Sequence, residues 1–142
     1  MCLVAYIAAA EELPTLDWNH EIPAFHVKNI DEGIEKVRGQ FRLPFVYYLG
    51  SHEGCGCGFN RGSASPSEPH QVEAVRQTLA ALTRYLQEAV SQVGTIELYT
   101  CWNGEEGDRP EHAVTVAVNH FGSDMEWFPE KCHATIVPNA AT

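Results

Sequence analysis

A histidine and two cysteines, spaced His52-x-x-Cys55-x-Cys57, stand in a stretch where Gly54, Gly56, Gly58 and Gly62 fall within nine residues. Thiolate and imidazole are the ligands that zinc takes in tetrahedral sites. Two thiolates on one zinc have sulfurs about 3.7–3.8 Å apart, which follows from Zn–S distances near 2.3 Å. One glycine between two cysteines can close to that separation, because glycine tolerates left-handed backbone and close approach. The usual spacing is Cys-x2–4-Cys, so Cys-x-Cys needs further ligands to make a zinc site. Cys101 ends one predicted strand and Cys132-His133 opens another. The expected metal set is therefore His52, Cys55, Cys57 and Cys101, with Cys132 and His133 as an alternative metal or thiol site. Zinc is the expected ion, and Cu(I) is next by ligand softness.

The same residues allow thiol chemistry. A histidine and Arg61 beside paired thiols would lower their pKa, and the thiolate is the reactive form. Cys-Gly-Cys can also close a small strained disulfide of the labile kind, although no Cys-x-x-Cys motif accompanies it. A Cys-His acyl-transfer site would take His112, His120 or His133 as its base. The loop N–H groups with Arg61 offer an anion nest, without the phosphate-loop pattern around Arg61-Gly62-Ser63. Met1-Cys2 looks like the start of amidotransferases and related N-terminal-nucleophile hydrolases; the resemblance covers these residues alone and implies Cys2 as a nucleophile once Met1 is removed. The leading expectation for Cys2 is a buried strand residue. A non-catalytic interaction module, using a helix face or an aromatic loop, is the third class of function.

The elements that must position these residues are legible in the pattern of apolar positions. Residues 2–8 read as a strand buried on both faces, and Ala24 to Lys28 as a short strand. Ile30, Ile34, Val37 and Phe41 recur at helical spacing, with Asn29 and Glu32 as a capping box, while Gly33 and Gly39 weaken that helix. Phe45 to Leu49 is the clearest strand and runs directly into the glycine loop. Ser65-Pro66-Ser67-Glu68 offers a helix start. Val72, Val75, Leu79, Leu82, Leu86, Ala89 and Val93 follow at 3-4 spacing, and Gly94 stops the helix. Strands are expected at 95–102, 113–118 and 132–137, with an acidic, solvated hairpin tip around Glu105-Glu106-Gly107-Asp108. The order predicts an α/β or α+β two-layer sandwich: a mixed sheet, one long amphipathic helix over about 66–93, and a shorter helix over about 30–41.

Length and charge bound the function. At 142 residues the chain is long enough for one domain with a real core, expected over residues 1–137 with a disordered tail at 138–142. Nineteen acidic residues against nine basic ones give a formal charge of −10. The lysines are Lys28, Lys36 and Lys131, with no basic cluster, so binding to nucleic acid or an anionic membrane is disfavoured. The apolar run Cys2–Ala10 is too short to span a bilayer and has no basic segment before it. Five cysteines cannot all pair within one chain, and with no export signal a reduced, cytoplasmic protein is expected. A homodimer is compatible with all of this.

Overall fold

The computed structural model describes residues 2–17, 25–30, 32–60, 67–121 and 127–138. Six strands form one sheet: β1 (Leu3–Ala9), β2 (His26–Asn29), β3 (Phe45–Gly50), β4 (Ile96–Trp102), β5 (His112–Ala117) and β6 (Cys132–Val137). Their order across the sheet is β2-β3-β1-β4-β6-β5. Every neighbouring pair is antiparallel except β5 and β6, which run parallel. With α1 (Pro69–Val93), the one α-helix among the described residues, this is an α+β fold with a mixed sheet.

β1 is the central strand, and its composition explains why. All seven of its residues are buried, with small alanines at positions 5, 8 and 9, so both faces can be covered closely. On one face Ala5, Ile7 and Ala9 join Leu49, Leu98, Ala134 and Ile136, and the α1 side chains Val75, Leu79, Leu82, Leu86 and Val90 pack onto them. Val72, at the outer end of the predicted stripe, is exposed. On the opposite face Val4, Tyr6, Ala8, Tyr99 and Cys101 form a second core with Val37.

The shorter helix expected over about 30–41 is present as Glu32–Gln40 and winds as a 3-10 helix. Gly33 and Gly39 lower the helical preference of so short a segment, and its packing rests on Val37, Ile30 and Phe41. The long helix starts at Pro69 rather than near Pro66, with Glu68 as the residue before it. The rule that places proline in the first turn holds, applied to the later proline. The acidic segment after Gly104 is not a solvated tip, since Glu106 is buried. Its carboxylate accepts the Tyr6 hydroxyl at 3.1 Å and the Gly104 N–H at 2.9 Å. Residues 139–142, the body of the expected tail, lie outside the described residues.

β3 and β4 both run antiparallel to β1, so their C-terminal ends meet the start of β1 at one edge of the sheet. β6 also begins at that edge, opposite Thr100. The starts of β1 and β6 and the ends of β3 and β4 therefore share one edge of the sheet.

Leu82 is fully buried between α1 and the sheet. Leu82→Ala is expected to lower the unfolding free energy by about 2–5 kcal/mol, read from urea unfolding. A loss under about 0.5 kcal/mol, the range of surface substitutions, would contradict the packing described.

Candidate metal centre

The loop after β3 is tied by one fully buried hydroxyl. Ser51 Oγ donates to the Cys55 carbonyl at 2.5 Å and accepts the N–H groups of Glu53 (3.2 Å) and Gly58 (3.1 Å). Backbone bonds Ser51 N–H to Cys55 O and Gly54 N–H to Ser51 O, both 2.9 Å, close the turn beneath it. Residues Gly56–Phe59 then form a short 3-10 turn, whose Phe59 is buried against Trp127 and Phe25.

Two glycines are required by contact. At Gly56 a Cβ would lie 3.0 Å from the Leu3 carbonyl oxygen and 3.3 Å from the Val4 carbonyl carbon. At Gly58 it would lie 2.3 Å from Ser51 Oγ and 2.7 Å from the His52 ring. The residue between the two cysteines thus rests directly on the backbone at the start of β1.

That contact brings a third thiol to the loop. The sulfurs of Cys2, Cys55 and Cys57 all lie within 4.8 Å of one another, and the group can hold a metal ion. Cys2 is exposed rather than a buried strand residue; it precedes β1, and its carbonyl accepts Asn103 N–H at 2.7 Å. Cys55 and Cys57 are half-buried, and none of the three is in a disulfide. Backbone donors point at the sulfurs: Leu3 N–H donates to Cys57 Sγ at 3.2 Å, and Cys57 N–H bonds the Cys55 sulfur. Tyr48 closes the side of the loop, its hydroxyl donating to Gly54 O at 2.9 Å.

Burial pushes the Cys55 thiol up to about 12, with the Cys57 N–H pulling the other way and the Cys57 and Cys2 thiols adding to the rise. Tyr48 is likewise raised to about 12, first by burial and then by the three nearby thiols. The lowered thiol pKa expected for the loop is therefore reversed at Cys55.

The other predicted ligands lie elsewhere. His52 is half-buried with its ring against Gly58, and its Nδ1 is buried without a hydrogen-bond partner. It is not a member of the group of three. Cys101 is fully buried in the second core, paired in register with Val4, and burial followed by Glu106 raises its thiol to about 12. β1 lies between β3 and β4, so the start of β1, not the end of β4, is what the loop meets first. Cys132 and His133 are adjacent on β6 and leave the sheet on opposite faces; Cys132 is buried and its thiol is raised by burial, while His133 meets Glu97. Arg61 lies outside the described residues. Cys2 is the residue that sequence reasoning missed as a ligand. The signal that finds it is strand order, which hydrophobic pattern alone does not give.

Comparisons with protein-family models, with curated proteins and with solved structures return no match. No described helix is long and apolar enough to cross a membrane.

Two outcomes check this geometry. Gly56→Ala is expected to cost about 1–3 kcal/mol, as forced contacts in packed structure do, because backbone cannot swing aside as a side chain would. Gly39→Ala, where nothing lies within 4 Å of the added carbon, is expected to stay within about 0.5 kcal/mol. Equal costs in thermal unfolding would contradict the close approach. In reduced, metal-free protein, alkylation of Cys55 should be slow at about pH 8 and still rising beyond about pH 10, because an ordinary thiol titrates near 8.5. A Cys55 rate that levels off near pH 9 in mass-spectrometric mapping would contradict the buried environment.

Proposed function

We propose that this protein binds a thiolate-preferring metal ion, zinc first, through Cys2, Cys55 and Cys57. The observation that carries the reading is the convergence of the three sulfurs within 4.8 Å. Tetrahedral Zn–S coordination at about 2.3 Å needs sulfurs some 3.7–3.8 Å apart, so small side-chain movements suffice. Three soft ligands suit zinc and Cu(I) over magnesium or calcium, which take oxygen. Three protein ligands also leave one tetrahedral corner for water or an incoming group, the pattern of zinc sites that exchange a ligand.

The raised Cys55 thiol argues against Cys55 as an unaided nucleophile. A catalytic cysteine is made reactive by a depressed pKa, and burial does the opposite here. A bound cation reverses the balance, because a coordinating thiol is deprotonated by the metal itself. The Cys57 N–H on the Cys55 sulfur favours the same charged form. A buried thiol with aimed backbone donors is poorly suited to act alone and well suited to act under a metal.

Protein purified under reducing conditions without chelator is expected to carry close to one zinc per chain by elemental analysis. Cys55→Ser/Cys57→Ser should abolish the metal, and Cys2→Ser should weaken it by about tenfold or more, the scale on which disturbing a metal's ligand environment acts. Metal-free wild type that cannot be reconstituted with zinc or Cu(I) under reducing conditions would overturn the proposal.

A further inference from the structure

A second constellation lies at the other end of β1 from the thiols, where Glu97 pairs with Ala8. Glu97 on β4 is buried, and each of its carboxylate oxygens is committed. Oε1 accepts the backbone N–H groups of Arg42 (2.8 Å) and Leu43 (2.9 Å), and Oε2 lies 2.7 Å from His133 Nε2. The Phe41 ring packs against His133 at 6.2 Å between centroids. An ionised carboxylate can only accept, so against ionised Glu97 it is His133 Nε2 that donates. In the neutral ring Nδ1 then holds the lone pair.

His133 and Glu97 line a cavity of about 590 Å³, together with Leu43, Pro110 and Ala113 and with the polar Gln40, Arg42 and Thr135. The volume falls in the range of small-molecule sites, about 300–1,000 Å³. The cavity forms where the second core ends. Val37, Phe41 and Leu43 cover β1 and the near side of β4, and the β5 and β6 side of that face is left with half-buried and exposed residues. Leu43, Pro110 and Ala113 give this hollow its apolar wall, and the Gln40 amide on its rim is already committed to the Glu106 and Asp108 carbonyls; an apolar wall beside an oriented polar group is a usual feature of ligand pockets.

We propose that this cavity binds a small, mostly apolar molecule that presents one N–H or O–H donor to His133 Nδ1. The Glu97 carboxylate sets the tautomer that makes Nδ1 an acceptor, and so sets which ligands fit. The site is independent of the metal centre and stands or falls separately from it.

Glu97→Gln tests this directly. The glutamine oxygen can still accept from Arg42 and Leu43, while its NH2 faces His133 Nε2 and forces the proton onto Nδ1. The pocket nitrogen becomes a donor with the fold retained. Indole serves as probe, since its N–H donates and accepts nothing, and 1-methylindole serves as the control without a donor. Ring-nitrogen NMR of His133 reports both tautomer and binding. In wild type, indole should move the His133 resonances saturably and bind about tenfold or more tightly than 1-methylindole, the scale of one buried hydrogen bond against an unpaired group. In Glu97→Gln the tautomer should switch, and indole should fall to the affinity of 1-methylindole. Indole that leaves the His133 ring unmoved, equal binding of both probes to wild type, or full indole affinity in the variant would each overturn the proposal. Should Glu97→Gln fail to fold, His133→Ala takes its place: loss of the preference for indole supports the site, and its retention overturns it.

Discussion

The contact on which the thiol centre depends is between two stretches of backbone. Gly56 lies so close to Leu3, Val4 and Ala5 that a single added carbon would meet the Leu3 carbonyl at 3.0 Å. Because that approach is possible, the two cysteines flanking Gly56 are carried to the start of the central strand, where Cys2 waits. Ser51 holds the approach in place from behind, one buried hydroxyl bonding to Cys55 O and the N–H groups of Glu53 and Gly58. Phe59 anchors the far side of the turn in the helix-covered core. The loop is thus fixed at both ends by packing and across its middle by hydrogen bonds, the arrangement that keeps ligands in register before a metal arrives.

The sequence was informative where one residue's neighbours in the chain decide its environment. The apolar run of β3, the 3-4 stripe of α1 and the strand 132–137 were legible because periodicity reports which face is buried. The dense glycines also announced that Cys55 and Cys57 share a tight turn. Cys2 was not legible as a ligand, because its role arises from β1 lying between β3 and β4. Cys101 was placed near the loop by a correct inference about strand direction, but direction does not say which strand stands between. Glu106 was misread for a related reason: in sequence it is one acid among several, and only the fold carries it to Tyr6. The 3-10 winding of residues 32–40 shows the limit of a helical pattern broken by glycines, where tertiary packing decides the winding.

The strand ends and the surroundings of Glu97 carry two different solutions to burying polar chemistry. At the strand ends, three thiols share a half-buried corner whose burial penalises the free thiolate and whose backbone donors favour it. A cation resolves that opposition by taking the sulfur charge onto itself. At Glu97 a buried carboxylate is satisfied by two backbone N–H groups and one imidazole, leaving one nitrogen of His133 uncommitted.

The central claim is that Cys2, Cys55 and Cys57 act together on one ion. X-ray absorption at the zinc edge of the reconstituted protein reads that directly. The account predicts three sulfur scatterers at about 2.3 Å and one lighter ligand near 2.0–2.1 Å, with one sulfur lost in Cys2→Ser. A first shell of nitrogen and oxygen alone, or two sulfurs unchanged by Cys2→Ser, would contradict it.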